Sequence, residues 1–200
     1  MQTNGLYFHG SKITFNSMLK TFALFITVII LGYGLFYFQK FDLVKIVQII
    51  HSNDPETNHL VQISGQAMIP NYLDGQQWLV DKHAYDASAP QRGDVVLFRS
   101  ISDPSLQMAK RVVGLPSEEV EIREDKIYLN GEILDEPYLT KDIMTYSGDF
   151  LKQNIKVIIP PDNYLILGDN RSHSADSRTW GFLPKENIAG KLTSCYKNCN

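Results

Sequence analysis

Glu119-Val120-Glu121-Ile122 and, shortly after it, Lys126-Ile127-Tyr128-Leu129-Asn130-Gly131-Glu132-Ile133-Leu134 decide the fold class of this chain of 200 residues. The first four residues alternate acidic and apolar side chains. That is the period of a strand with one wet face and one buried face. Asn130-Gly131 between two short apolar runs signals a two-residue hairpin, because both residues tolerate the positive φ such a turn needs. Similar short runs lie on either side. Leu60–Ser64, Gln77–Asp81, Asp94–Arg99 and Gln107–Val113 precede it, and Asn154–Ile159 and Tyr164–Leu167 follow. No amphipathic helix is legible after residue 60. These features predict a mainly β domain, a folded barrel or sandwich rather than an α/β sheet. Residues 134–153, with Pro137 and Gly148, break the pattern and read as an irregular excursion.

Upstream the texture changes. Residues 1–17 are polar and mixed. Thr21 to Phe38 is an uncharged run of 18 residues between Lys20 and Lys40. With Met18 and Leu19 it reaches the ~20 residues a helix needs to cross a bilayer. Tyr33, Phe36, Tyr37 and Phe38 crowd one end, as in an interfacial belt. No small-x-small site follows, which argues against a cleaved leader. Residues 18–40 therefore read as a single-pass anchor in the lipid bilayer and 41–58 as a connector. Residues 59–194 read as the β-rich domain and 195–200 as a tail. Lys12 and Lys20 before the span nearly balance Lys40 and Lys45 after it, so charge does not orient the anchor.

A net charge of −3 and the absence of a long basic run argue against nucleic acid as a partner. The five histidines are scattered, so no metal or other cofactor is expected. Cys195 and Cys199 are the two cysteines. They form either a small terminal disulfide or two thiols on a frayed tail. Nothing in the sequence sets an oligomeric state.

Three stretches carry chemistry. In Met108-Ala109-Lys110-Arg111-Val112-Val113-Gly114, strand alternation puts Lys110 on one face with Met108 and Val112. On that pattern alone the lysine reaches solvent along its stem. Were it buried, its pKa would fall from ~10.4 and it would accept a proton from a hydroxyl. In Gly65-Gln66-Ala67-Met68-Ile69-Pro70 a small side chain sits at the lip of a turn, where backbone N–H groups can stabilise an oxyanion. Gly168 to Arg178 is a polar loop between Leu165-Ile166-Leu167 and Trp180-Gly181-Phe182. Within it, Asp176 and Arg178 can pair, and Asp169-Asn170 suits a tight turn.

In order and spacing these stretches resemble the active-site boxes of type I signal peptidases, the bacterial-type serine/lysine leader peptidases. Arg92-Gly93-Asp94-Val95-Val96-Leu97-Phe98, Trp180-Gly181-Phe182-Leu183-Pro184 and Gly190-Lys191 extend the match over roughly residues 18–192. The resemblance implies a membrane-bound serine endopeptidase whose β-rich domain lies on the outer face of the plasma membrane. It implies signal peptides of exported preproteins as substrates, bound as extended strands, with small residues before the cut. Position 67 is then the nucleophile and Lys110 the general base. Ser174 supports the lysine, and Asp176 and Arg178 brace the loop. Ile63, Gly65, Gln66 and Met68 help to build the substrate site.

Two residues depart from the family pattern: Ala67 stands in place of the serine, and Asn71 where threonine is usual. With alanine at 67 the chain is expected to be catalytically dead. The favoured account is an engineered replacement of the serine; the alternative is a natural non-catalytic homologue that binds or assembles exported proteins. A soluble self-cleaving repressor with the same dyad is disfavoured by the anchor and by the lack of a DNA-binding pattern. Ser64 lies an odd number of residues from position 67. In a strand it would face the other side and not substitute.

Overall fold

The computed structural model describes residues 58–140 and 143–199. The expected polar segment, the anchor and nearly all of the connector lie outside them.

Among the described residues eleven strands form two antiparallel sheets. β1 (Asn58–Gln62), β2 (Gln77–Asp81), β3 (Val95–Arg99), β4 (Gln107–Gly114) and β5 (Glu119–Arg123) come first. Then follow β6 (Lys126–Leu129), β7 (Glu132–Ile133), β8 (Val157–Ile158) and β9 (Asn163–Leu167). A single helical turn, α1 (Ser177–Trp180), precedes β10 (Leu183–Pro184) and β11 (Ile188–Lys197). The larger sheet has the order β1-β2-β11-β3-β4-β9-β10 and the smaller one β7-β6-β5-β8. The mainly β expectation is met.

β3 shows why the site is rigid. Val95 and Leu97 enter one apolar cluster with Ile63, Met68, Val80 and Leu192. Val96 and Phe98 enter another, on the opposite face, with Val112, Tyr164 and Ile166. A strand buried on both faces reads as a continuous apolar run, which Val95-Val96-Leu97-Phe98 is. β9 divides in the same way, with Ile166 in that second cluster and Leu165 and Leu167 in a third beneath the smaller sheet. Val120, Ile122, Ile127 and Leu129 also belong to the third cluster.

The hairpin forms at Asn130-Gly131 with φ of 53° and 85° and joins Leu129 to Glu132. The alternation in β5 is less clean than the sequence suggests. Glu121, expected on the wet face, is only 7% exposed. It lies opposite Tyr128, and the Arg123 guanidinium covers the Tyr128 ring at 3.8 Å. β11 went unread in the sequence and continues through Lys197, pairing Cys195 with Trp78. Cys195 and Cys199 are joined as a disulfide. Asn198 Nδ2 donates to the Gly75 carbonyl at 2.9 Å, fastening this end to the loop before β2.

Candidate active site

β1 ends at Gln62, and the chain then turns. Ile63 is fixed by two backbone bonds, its N–H to Gln76 O at 2.8 Å and its carbonyl to Gly75 N at 2.9 Å. Gly65 follows with φ of +83°, a left-handed conformation that favours glycine, and its N–H donates to Asp74 Oδ1 at 2.7 Å. Ala67 comes next, half-buried, in a turn that includes the cis Ile69–Pro70 bond. Its carbonyl accepts from Asn170 N at 3.0 Å, and Asn170 Nδ2 donates to Gln66 O at 3.0 Å. Asn71 ties the far side of the turn. Its Nδ2 donates to Tyr138 O at 2.8 Å and to Asp169 Oδ2 at 2.9 Å. The Ala67 N–H itself has no acceptor among the described residues.

Lys110 sits in β4 opposite Val96 and is 5% exposed. The strand pattern alone would have sent it to solvent. Burial on both faces of the β3–β4 pair prevents that. The one hydrogen bond of its side chain among the described residues runs from Nζ to Ala109 O at 3.2 Å. Burial pushes the ammonium pKa below its ordinary value; the charges of Asp176 and Asp169 oppose this and Arg178 reinforces it.

The polar loop is ordered by its own bonds. Asp176 is fully buried, caps α1 and accepts from Gly168 N at 3.0 Å. Arg178 reaches it through Nε at 2.8 Å and Nη2 at 2.9 Å. Arg178 O receives the N–H groups of Phe150 and Leu151, which draws the irregular excursion onto the loop. Arg171, 2% exposed, binds Gly168 O at 3.0 Å and Thr145 Oγ1 at 2.6 Å and pairs with Glu136. Gly168 lets the loop meet the turn. A side chain there would strike Ser174 Oγ and the Ala67 carbonyl oxygen. The Ser174 hydroxyl is buried and has no hydrogen-bond partner among the described residues.

These elements enclose a cleft of about 410 Å³. Ile63, Gly65, Ala67 and Met68 line one side, and Met108 and Lys110 of β4 the other. Gln66, expected in the substrate site, does not line it; its carbonyl holds Asn170 instead. Ser64 does line it. The alternation argument against Ser64 therefore fails, because the strand has already ended at Gln62. Asp176, Arg178 and Ser174 stand behind the cleft rather than in its wall.

Sequence reasoning missed a second layer. Arg111 and Asp169 form a buried ion pair, and Asn71, Asn170, Arg171 and Glu136 lock the turn and the excursion to the loop. The signals of this layer in the sequence are Arg111, a second cation beside Lys110 in an apolar strand, Asn71, and the Asp169-Asn170 turn in the polar loop.

The chain resembles known proteins over this whole region. Signal peptidase IB of Staphylococcus aureus (strain Mu50) is 34% identical over 142 residues, 66% of this chain and 73% of its own length. Signal peptidase I of Leptolyngbya laminosa is 35% identical over 136 residues, 64% of each chain. The crystal structure of a signal peptidase I from Enterococcus faecalis V583 shares 34% identity, with a TM-score of 0.44 over 53% of this chain and 98% of that one. The profile described as signal peptidase, peptidase S26, matches residues 43–197, from the connector through the last strand, and the chain belongs to that family.

Proposed function

We propose that this chain is a membrane-anchored signal peptidase I that binds the signal peptides of exported preproteins and, with Ala67 at the nucleophile position, does not cleave them. The observation that carries this reading is the cleft wall. Lys110, buried and without a carboxylate partner among the described residues, lines the same cleft as Ala67. A serine at 67 would give its proton to a neutral Lys110 and attack the scissile carbonyl. The N–H of residue 67, free of any acceptor among the described residues, supports a role in receiving the oxyanion. On this reading Ser174, whose buried hydroxyl has no hydrogen-bond partner among the described residues, is the residue set to orient the lysine in the serine form, and Asp176 and Arg178 hold the loop that carries it. No metal or cofactor enters. The uncharged run within residues 18–40 supports a single-pass anchor, and the family supports an outer-face domain.

An alanine methyl cannot attack, and losing the nucleophile of such a unit costs on the order of a millionfold in rate. The intact lysine and loop favour a replaced serine over a long-standing non-catalytic homologue.

The test compares Ala67→Ser with the unchanged chain, in detergent, on a fluorogenic signal-peptide substrate across a range of pH. The serine form is expected to cut after a small residue with a basic limb in its pH profile. The unchanged chain is expected to bind the peptide and stay silent. If neither form cuts and both bind, the chain is a binding factor. If neither binds, the reading fails.

A further inference from the structure

Among the described residues Lys110 is the buried lysine, and every acid near it is already committed. Asp176 takes two hydrogen bonds from Arg178, and Asp169 takes two from Arg111. The lysines that pair with carboxylates, such as Lys156 with Glu119 and Lys191 with Asp94, stand at the surface. Lys110 has only the Ala109 carbonyl, at 3.2 Å. An amine desolvated in this way, with no counter-ion, favours its neutral form and becomes a nucleophile in its own right. In a serine peptidase the neighbouring hydroxyl would occupy it as a base. Here the cleft presents a methyl at position 67, and the lone pair has no hydroxyl proton to take from that position.

We infer that Lys110 is itself the reactive nucleophile of this cleft and captures aliphatic aldehydes, including peptides that end in an aldehyde, as reversible imines. Its Nζ lone pair forms a bond to the carbonyl carbon, and the C=O π pair moves onto oxygen. The amine proton passes to that oxygen to give the carbinolamine. Loss of the hydroxyl with the second amine proton releases one water and leaves C=N. Nothing is oxidised or reduced, and hydrolysis reverses the step. The cleft, about 410 Å³, has room for a small aldehyde. Ser64, the other nucleophile that lines it, is an exposed hydroxyl, which is far less nucleophilic than a neutral amine.

The experiment treats the full chain in detergent with propionaldehyde and sodium cyanoborohydride at neutral pH. The hydride freezes each imine as a secondary amine, and mass spectrometry maps the sites over time. Lys110 is expected to be alkylated on the order of tenfold faster than exposed Lys82, Lys152 and Lys185, whose side chains are in water. Lys110→Met is expected to lose the fast phase and keep the slow surface labelling. Labelling of Lys110 no faster than of the exposed lysines overturns the inference. That ranking is read in the unchanged chain, so it stands even if the variant fails to fold. Propionaldehyde needs no peptide recognition, so failure of signal-peptide binding and failure of this chemistry are separate results.

Discussion

Arg111 and Asp169 meet through two parallel hydrogen bonds, Nε to Oδ1 at 2.8 Å and Nη2 to Oδ2 at 2.6 Å. The guanidinium also donates to Gly93 O at 2.8 Å and lies 4.1 Å from the centroid of the Tyr138 ring. One buried pair thus joins β4, the loop after β9 and the irregular excursion. Burial works against the Arg111 charge, but the bonds and charge of Asp169 outweigh it, so the arginine stays protonated. Asp169→Ala would strand that cation and release Asn71. A loss of about 3–5 kcal/mol is expected, read as a shifted urea midpoint. The double variant Arg111→Met with Asp169→Leu should recover much of it, because an apolar pair leaves no orphaned charge. A single variant as stable as the parent would show that the pair is not what holds the loop.

Lys110 gives stability a pH dependence of known sign. In the unfolded chain the lysine keeps its ordinary pKa of 10.5, and burial lowers the folded value. Between the two the unfolded state binds more protons, so stability rises with pH. Below the folded value the native protein carries a constant cost for a buried ammonium. Lys110→Met is therefore expected to be more stable than the parent at neutral pH, with a margin that narrows as pH approaches 10.5. Urea unfolding at a series of pH values reads this directly. A margin that stays flat would mean that the lysine is not desolvated in solution.

Ser174 separates a structural role from a functional one. A buried hydroxyl without a partner costs ~1–3 kcal/mol. Ser174→Ala should therefore leave stability unchanged or raise it by about 1 kcal/mol. In the Ala67→Ser background the same change is expected to lower the cleavage rate roughly a hundredfold, with its basic limb displaced, through loss of an oriented proton acceptor. Marked destabilisation instead would make Ser174 a packing residue.

Gly168 is required by close approach, since an added methyl meets Ser174 Oγ and the Ala67 carbonyl. Both neighbours belong to the site, so relief displaces one of them. Gly168→Ala is expected to cost about 1–3 kcal/mol and to weaken signal-peptide binding as well. Loss of stability with peptide affinity intact would place the strain elsewhere.

The sequence exposed the local part of this molecule and hid the distant part. Gln77–Asp81 and Lys126–Leu129 stand where short apolar runs between turn signals put them, because those signals are local. Ile188–Lys197 was missed. Its register slips at three places, and much of it faces solvent, so it shows no period. Lys110 was legible as an oddity, yet its burial depends on clusters assembled from β3, β4 and β9. Arg111 and Asp169 stand 58 residues apart, and no local pattern relates them. Asp176 and Arg178 are two apart, and their pairing could be read directly.

β2 and β3 are not paired with each other; β11 lies between them and hydrogen-bonds to both. β11 is also synthesised after every other strand of the domain. Until β11 inserts, the pair β1-β2 and the group β3-β4-β9-β10 have no strand between them. The wall that carries Ile63 and Ala67 is joined through β2 to the wall that carries Lys110 only when this last strand inserts. A pairing so distant in sequence is a slow step in folding. Closing the larger sheet thus falls to the last-made strand rather than to either wall of the cleft.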